Sequence, residues 1–316
     1  MNNADIDPKL LSQLKKLEQK YEVMGQDISS YLDGLLYADY LTYWEYIHLD
    51  TLLSLQTPKT HFEDETIFIC YHQITELYFK LILWEMNHIS KQEVKDHDKI
   101  LLRLNRINNY FKQLIYSYDI MVEGMEKDQF LKFRMALLPA SGFQSAQYRM
   151  IEICATDMIN LVYADDRKSF GPDEIPEILF DHIYWKKGAT ELATGKKTLT
   201  LKQFEKKYTN RLLRKAHAMK NDNIWQVYQN YISEGKSSDQ LKNAMREFDL
   251  NANVNWPLSH YKSAIRYLQK DPKAIKATGG SNWQKYLPPK SQRIIFFPEL
   301  WTKEEIAVWG KSMTSI

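Results

Sequence analysis

The chain contains few of the residues that break helices or cross-link a fold. Glycine and proline number 11 and 10 among 316 residues, little more than half the share of average proteins. This scarcity predicts long elements with few turns and favours helices over many short strands. The only two cysteines, Cys70 and Cys154, both lie within apolar helical patterns, so we interpret them as reduced core residues rather than a disulfide framework.

An excess of one charge and a long apolar run are also missing. The net charge is +2, which gives no reason to expect nucleic acid or an acidic membrane surface as a partner. No apolar run approaches the roughly 18 residues of a membrane span, and MNNADIDPKLL lacks the features of a signal peptide. We therefore expect a cytoplasmic protein. No glycine-rich phosphate loop, CxxC, HExxH or GxSxG motif occurs.

What the chain does contain is apolar periodicity. Leucine and aromatic residues recur at three- and four-residue spacing, which is typical of amphipathic helices. The region 164–200 is the least regular, and no strand is predicted. The predicted helices cover residues 8–24, 39–56, 65–89, 100–118, 143–163, 201–219, 222–234, 237–248 and 256–270.

Three polar residues lie inside apolar segments and are candidates for chemistry. His72 lies in IFICYHQITELYFKLILW, where an isolated histidine is most often a hydrogen-bonded core residue. His260 follows Trp256 by one helical turn; an imidazole beside aromatics commonly holds a haem iron, although a structural role is again the commoner one. Arg134 cannot lose its proton and must be paired. Its partner could equally well be the carboxylate of a bound ligand or an Asp or Glu side chain of the protein.

Longer motifs occur in a fixed order along the chain, and together they resemble the tryptophan 2,3-dioxygenase family. The eleven-residue pattern around residue 144 is the most specific of them. The motifs are the tyrosines Tyr43 and Tyr46, FICYHQxxEL from Phe68 to Leu77, Phe133-Arg134, PASGFQSxQYR from Pro139 to Arg149, WxxxH from Trp256 to His260, TGGS from Thr278 to Ser281 and FFPEL from Phe296 to Leu300.

The resemblance implies an all-α fold: one large helical bundle that encloses a b-type haem, one per subunit. It implies a dioxygenase that uses O₂ to convert L-tryptophan to N-formylkynurenine, the first step of tryptophan catabolism. It also implies a homotetramer, a dimer of dimers. Residues 1–38 would be an N-terminal helical segment that packs on a neighbouring subunit, and 39–316 the haem domain, within which 164–255 carries little of the resemblance.

For the haem, the resemblance assigns His260 as the axial ligand of iron. Ser141 and Gly142 match the turn at the haem edge, and Arg149 matches a partner of a haem propionate.

For the substrate, the resemblance assigns five residues of the same subunit. His72 matches the histidine that accepts a hydrogen bond from the indole N–H. Arg134 matches the residue that holds the substrate carboxylate, and Thr278 the residue that meets its ammonium group. Phe68 and Phe130 match the walls of the indole pocket.

The first motif lies in the N-terminal region and departs from the family in one position. Tyr43 and Tyr46 would reach the pocket of a neighbouring subunit, but Trp44 replaces the usual glycine. Pro257 replaces an arginine, and TGGSN alters the end of the threonine loop.

These departures leave two alternative functions open: a haem oxygenase acting on another indole, and a non-catalytic haem or gas sensor. The set Phe68, His72, Arg134 and Thr278 argues against the sensor, which needs no residues that bind an amino acid. Arg134 argues against the other oxygenase, because simple indoles carry no carboxylate.

Overall fold

The fold is all-α, as the sequence predicts. A computed structural model of the chain contains no strand in the part that it describes, where only isolated bridges join Val162 to Ile183 and Thr190 to Lys197. The structure describes residues 6–38, 42–91, 96–137, 142–171, 174–190, 196–236, 238–268 and 287–311. None of the helices in these ranges is long and apolar enough to cross a membrane.

The chain divides into two compact units, residues 1–56 and 57–316. The boundary predicted after residue 38 lies inside the first unit. That unit contains four helices, and the helix predicted over 39–56 is two short ones within the described residues. No described side chain of the unit is buried. Its helices are α1 (Pro8–Val23), α2 (Ile28–Tyr37), α3 (Tyr43–Tyr46) and α4 (Leu49–Leu53).

The second unit carries the core and the remaining helices. The short helices around residue 180 lie in the region predicted to be irregular. In chain order the helices are α5 (Asp64–Ser90), α6 (His97–Ser117), α7 (Asp119–Val122), α8 (Lys127–Phe133), α9 (Ala146–Ala155), α10 (Met158–Leu161), α11 (Pro176–Asp181), α12 (Tyr184–Gly188), α13 (Leu199–Met219), α14 (Ile224–Ser233), α15 (Asp239–Leu250), α16 (Trp256–Leu268), α17 (Pro289–Gln292) and α18 (Lys303–Ala307).

The longest helix, α5, has 27 residues and packs against α6, α9 and α14. One face buries apolar side chains at three- and four-residue spacing, as an amphipathic helix requires. Hydrogen bonds add to this packing: the Tyr71 hydroxyl donates to Leu114 O on α6 at 3.2 Å. Lys215 Nζ on α13 donates to Asn87 Oδ1 at 2.7 Å. Neighbouring helices therefore fix α5 along its length.

The helix predicted over 143–163 is wrong in its extent. The structure has a 3₁₀ turn at Gly142–Gln144, and α9 ends at Ala155. Thr156 is extended, with φ −146° and ψ 172°, and its hydroxyl donates to the carbonyl of Phe296. This contact with a distant segment ends the helix, which sequence periodicity alone does not reveal.

The separation predicted between the helices at 237–248 and 256–270 is also wrong. A π turn, Asn251–Asn255, joins α15 to α16 without a break. The Trp256 N–H donates to Asn251 O, five residues earlier. Pro257 is a frequent first residue of a helix, which suggested a start there. In the structure it lies near the beginning of the second half of one long helix.

A single buried carboxylate attaches the C-terminal segment to this long helix. Asp249 accepts hydrogen bonds from the backbone N–H groups of Phe296 (2.9 Å) and Phe297 (3.1 Å) and from Trp301 Nε1 (3.0 Å). Asn253 Nδ2 donates to it at 2.8 Å. Burial raises the pKa of Asp249 to about 6, against the opposing effect of these four donors. The group is therefore ionised at neutral pH and uses both oxygens as acceptors.

Replacing this carboxylate by an amide tests its structural role. In Asp249→Asn one oxygen becomes an NH₂ group that faces donors, which leaves two buried N–H groups without acceptors. We expect a loss of roughly 2–6 kcal/mol in the free energy of unfolding, since each such group costs about 1–3 kcal/mol. Urea unfolding measures it. Asp98, which is exposed and pairs only with His97 among the described contacts, is the matched control: Asp98→Asn should change stability by less than about 0.5 kcal/mol. Equal losses in the two variants would contradict the assignment.

Candidate active site

Three helices of the second unit bring predicted site residues together. Phe68 and His72 lie one turn apart on α5, with ring centroids 4.0 Å apart. Phe130 on α8 lies 6.3 Å from Phe68 and 4.5 Å from Tyr267 on α16. These contacts connect the α5 pair, through α8, to the helix that carries His260. An aromatic wall is therefore formed by residues far apart in the sequence.

His72 is held as a single tautomer by its own helix. Its Nδ1 lies 2.7 Å from the carbonyl of Phe68. A carbonyl can only accept, so Nδ1 carries the hydrogen and a neutral ring keeps a lone pair on Nε2. Burial lowers the pKa of His72, although the Phe68 carbonyl and the Glu76 carboxylate raise it. The side chain is at the same time exposed to solvent. The free Nε2 can therefore accept a hydrogen bond from a ligand.

His260 shows the same arrangement on α16. Its Nδ1 lies 3.2 Å from the carbonyl of Trp256, one turn earlier. The rings of Trp256 and Tyr118 pack against it, at 4.5 and 4.6 Å. Burial lowers its pKa to about 4, against the raising effect of the carbonyl, and a charge on His72 lowers it further. The imidazole is therefore neutral at physiological pH with its lone pair on Nε2.

The two histidines are linked by two aromatic rings: Tyr71 lies 6.4 Å from His72 and 5.7 Å from Tyr118, whose ring lies 4.6 Å from His260. They come from different helices, α5 and α16, and each has Nδ1 satisfied by a backbone carbonyl. A neutral imidazole whose second nitrogen donates to a carbonyl is the usual form of a haem-ligating histidine. The residues present therefore fit a haem held by His260. His72 would then be left to interact with whatever binds beside it.

Arg134 lies next to this aromatic wall. It follows Phe133, whose ring is 5.8 Å from Phe68 and 5.5 Å from Phe130. Only 4% of the Arg134 residue is exposed, and burial lowers the pKa of the guanidinium. Arginine nonetheless stays charged in proteins. A buried fork of donors beside an aromatic pocket is suited to a carboxylate.

Arg149 has partners that the sequence did not predict. Its Nη1 lies 3.1 Å from Glu152 Oε2 and 3.1 Å from the Tyr184 hydroxyl. That hydroxyl in turn donates to Glu152 Oε1 at 2.6 Å. All three groups form a buried cluster in which burial raises the pKa of Glu152 to about 7 and Arg149 lowers it. These contacts support a structural role, and the propionate role stays a prediction.

The other predicted site residues are placed less fully. Ser141 and Thr278 lie outside the described residues. Gly142 begins the 3₁₀ turn that precedes α9. Tyr43 and Tyr46 belong to the first unit, on α3, and are 71% and 74% exposed. Their proposed contact with a neighbouring subunit stays a prediction.

Two features of the site were not predicted from the sequence. Tyr118 continues the apolar pattern of α6 and was interpreted only as part of it, yet its ring packs on His260. Gln147 Nε2 donates to the backbone carbonyl and to Oε2 of Glu76, both at 2.8 Å. This bond joins two of the motifs, FICYHQxxEL and PASGFQSxQYR, across α5 and α9. Both residues are specified positions of the quoted motifs, but spacing alone does not pair them.

Comparison with known proteins agrees with the geometry over part of the chain. The sequence profile of the tryptophan 2,3-dioxygenase family matches residues 34–165. The range includes Phe68, His72, Phe130 and Arg134, whereas His260 lies outside it.

Individual relatives named tryptophan 2,3-dioxygenase match a similar length. One from Bacillus thuringiensis (strain Al Hakam) is 41% identical over 120 residues, 37% of this chain and 42% of the relative. One from Ruegeria sp. (strain TM1040) is 40% identical over 120 residues, with the same coverage. One from Herpetosiphon aurantiacus is 42% identical over 115 residues, 35% of this chain and 44% of the relative. The match spans less than half the length of each relative. Residues 34–165 of the chain are thus similar in sequence to the tryptophan 2,3-dioxygenase family.

Proposed function

We propose that this protein is a haem-dependent dioxygenase that inserts O₂ across the indole C2–C3 bond of L-tryptophan to give N-formylkynurenine. The observation that carries the proposal is the pair of neutral imidazoles, His72 and His260, each with a lone pair on Nε2 and joined through the rings of Tyr71 and Tyr118. One can ligate iron, and the other can accept a hydrogen bond from an N–H group. The similarity of residues 34–165 to the tryptophan 2,3-dioxygenase family supports the same chemistry.

His260 is the residue that would hold the haem, through Nε2. Oxygen activation is the chemistry that a haem bound there would supply. Tyr118 and Trp256 pack on the imidazole and fix its plane. Ser141, Gly142 and Arg149 are the residues that we propose for the haem edge.

The substrate would be held by groups that match its three chemical parts. The indole ring packs between Phe68 and Phe130, and its N–H donates to His72 Nε2. Arg134 pairs with the carboxylate, and Thr278 meets the ammonium group. Because His72 is neutral and its Nδ1 is already bonded, it can accept this hydrogen bond without first losing a proton. Its role is to orient the indole.

The exposed apolar side chains of the first unit support an oligomeric protein. It has no buried side chain of its own among the described residues, and leucines and tyrosines of α1 and α2 are exposed. Surfaces of this kind usually pack on a partner. We propose a homotetramer in which this unit contacts a neighbouring subunit and Tyr43 and Tyr46 reach its pocket. Both cysteines are free thiols, which is consistent with a cytoplasmic location.

The first test is haem binding and turnover. The purified protein, loaded with hemin, reduced and given L-tryptophan in air, should produce the absorbance of N-formylkynurenine. His260→Ala should abolish stable hemin binding, or leave a haem rescued by added imidazole, since the sole protein ligand is lost.

His88 provides a matched control for that variant. It lies about 24 Å further along α5, and its Nδ1 is 2.7 Å from the carbonyl of Trp84, the same local arrangement. His88→Ala should bind hemin as the wild type does. A His260→Ala variant with the spectrum and haem content of the wild type would overturn the proposal.

The second test concerns the carboxylate. Removing one partner of a buried charge pair costs about 2–5 kcal/mol, roughly 30- to 3,000-fold in kcat/KM. Tryptamine, which has no carboxylate, should therefore be a very poor substrate. Arg134→Leu should lose most activity on tryptophan but little of the low activity on tryptamine, so the two losses are strongly non-additive.

Arg211, an exposed arginine of α13, gives the control: Arg211→Leu should leave both activities unchanged. If the losses from Arg134→Leu and from omission of the carboxylate multiplied independently, Arg134 would not contact the carboxylate.

A further inference from the structure

The π turn between α15 and α16 lies directly before the helix that carries His260. In the five residues Asn251–Asn255 the backbone bonds from i to i+5, as the Trp256 N–H to Asn251 O bond shows. π turns are rare and occur frequently at functional sites. Four of the five residues are buried. The question is what the turn does for the helix that follows.

The turn changes the direction in which His260 points. An α-helix rotates about 100° per residue. His260 lies twelve positions after Phe248, so in a regular α-helix the two side chains would point about 120° apart. A single π turn accommodates one extra residue, which removes about 100° of that rotation. His260 is then within about 20° of Phe248. The turn therefore places the histidine on the same face as the buried stripe of α15.

Contacts with α6 agree with this geometry. Phe248 packs on Phe111 of α6, with ring centroids 5.8 Å apart. Tyr118, which follows α6 and lies seven residues after Phe111, packs on His260 at 4.6 Å. Seven residues are two helical turns, so both aromatic rings lie on one face. One continuous face of α15–α16 thus meets one face of α6.

Side chains of the turn itself stabilise it. Asn253 Nδ2 donates to Asp249 Oδ1 at 2.8 Å, and Asn255 Nδ2 to Asn251 Oδ1 at 3.1 Å. The Tyr148 hydroxyl on α9 donates to the carbonyl of Ala252 at 2.7 Å. The two asparagine bonds hold side chains one helical turn apart, and the tyrosine hydroxyl satisfies a backbone carbonyl of the turn.

Pro257 gives a physical reason for the wider turn. Proline has no N–H, and in an α-helix its ring clashes with the carbonyl four residues earlier, here that of Asn253. A wider turn before the proline moves this carbonyl away from the ring. The helix thereby continues past a residue that usually ends or kinks it.

We propose that the π turn Asn251–Asn255 is the element that directs His260 toward His72, with Asn251 and Asn253 as positioning residues. The inference rests on the proposed haem function, because the direction of His260 matters only if its Nε2 is to meet a ligand. The asparagines touch neither haem nor substrate. They act through the orientation of α16.

Hemin binding to the apoprotein tests this positioning role. The double variant Asn251→Ala/Asn253→Ala should bind hemin about 10- to 100-fold more weakly than the wild type, the loss that is typical when a ligand's orienting groups are removed. The iron–histidine stretching band of the reduced holoprotein should also shift. Neither readout measures turnover.

Asn223 is the matched control. It is a buried asparagine that caps α14 and donates to Asp157 Oδ1 at 2.9 Å. Asn223→Ala should lower the melting temperature while leaving hemin affinity and the stretching band unchanged. If the double variant does not fold, Asn255→Ala, which removes only the 3.1 Å bond to Asn251, takes its place. The same two changes are expected, but smaller.

The possible outcomes separate this inference from the proposed function. A wild type that binds no hemin overturns the proposed function and the inference with it. A wild type that binds hemin, beside asparagine variants with the same affinity and the same stretching band, overturns the inference alone. An equal loss of hemin affinity in the Asn223→Ala control would also overturn the inference, because the effect would then be one of general stability.

Discussion

Burial of one face of α5 is the constraint on which the rest of the second unit depends. Phe79, Ile82, Met86 and Ile89 are at most 2% exposed, and each contributes roughly 1.5–3 kcal/mol when removed from water. Hydrogen bonds to α6, α9 and α13 fix the rotation of the helix about its axis. Since His72 lies on the same helix, the packing that stabilises the fold also determines where the imidazole points.

The ionisation of the site follows from backbone geometry rather than from acidic partners. At both His72 and His260, the carbonyl one turn earlier accepts the Nδ1 hydrogen, and burial disfavours the charged ring. Each imidazole is therefore neutral with an accessible lone pair on Nε2. The two rings differ in exposure: His260 is partly buried between the rings of Trp256 and Tyr118, whereas His72 is exposed and contacts the ring of Phe68. This difference supports the proposal that His260 ligates iron and His72 contacts the substrate.

The sequence predicts the fold class and most of the long helices. Local spacing does not distinguish His72 or His260 from His88, because each of the three bonds the carbonyl of the aromatic residue one turn earlier, and only the motifs of the family resemblance single out the first two. Only tertiary packing brings two of them together. The early end of α9 at Thr156 and the π turn before Trp256 make contacts with residues distant in sequence, Phe296 and Tyr148 respectively. Local periodicity contains no information about such contacts.

In the proposed function His260 would hold the haem, and His72 would face the ligand bound to it. The C–O stretching frequency of the reduced, carbon monoxide-bound protein tests this arrangement most directly, because bound CO senses the groups that face it. A lone pair of His72 directed at the CO raises this frequency, so the account predicts a lower value in His72→Ala than in the wild type. An identical frequency in the two proteins would contradict it.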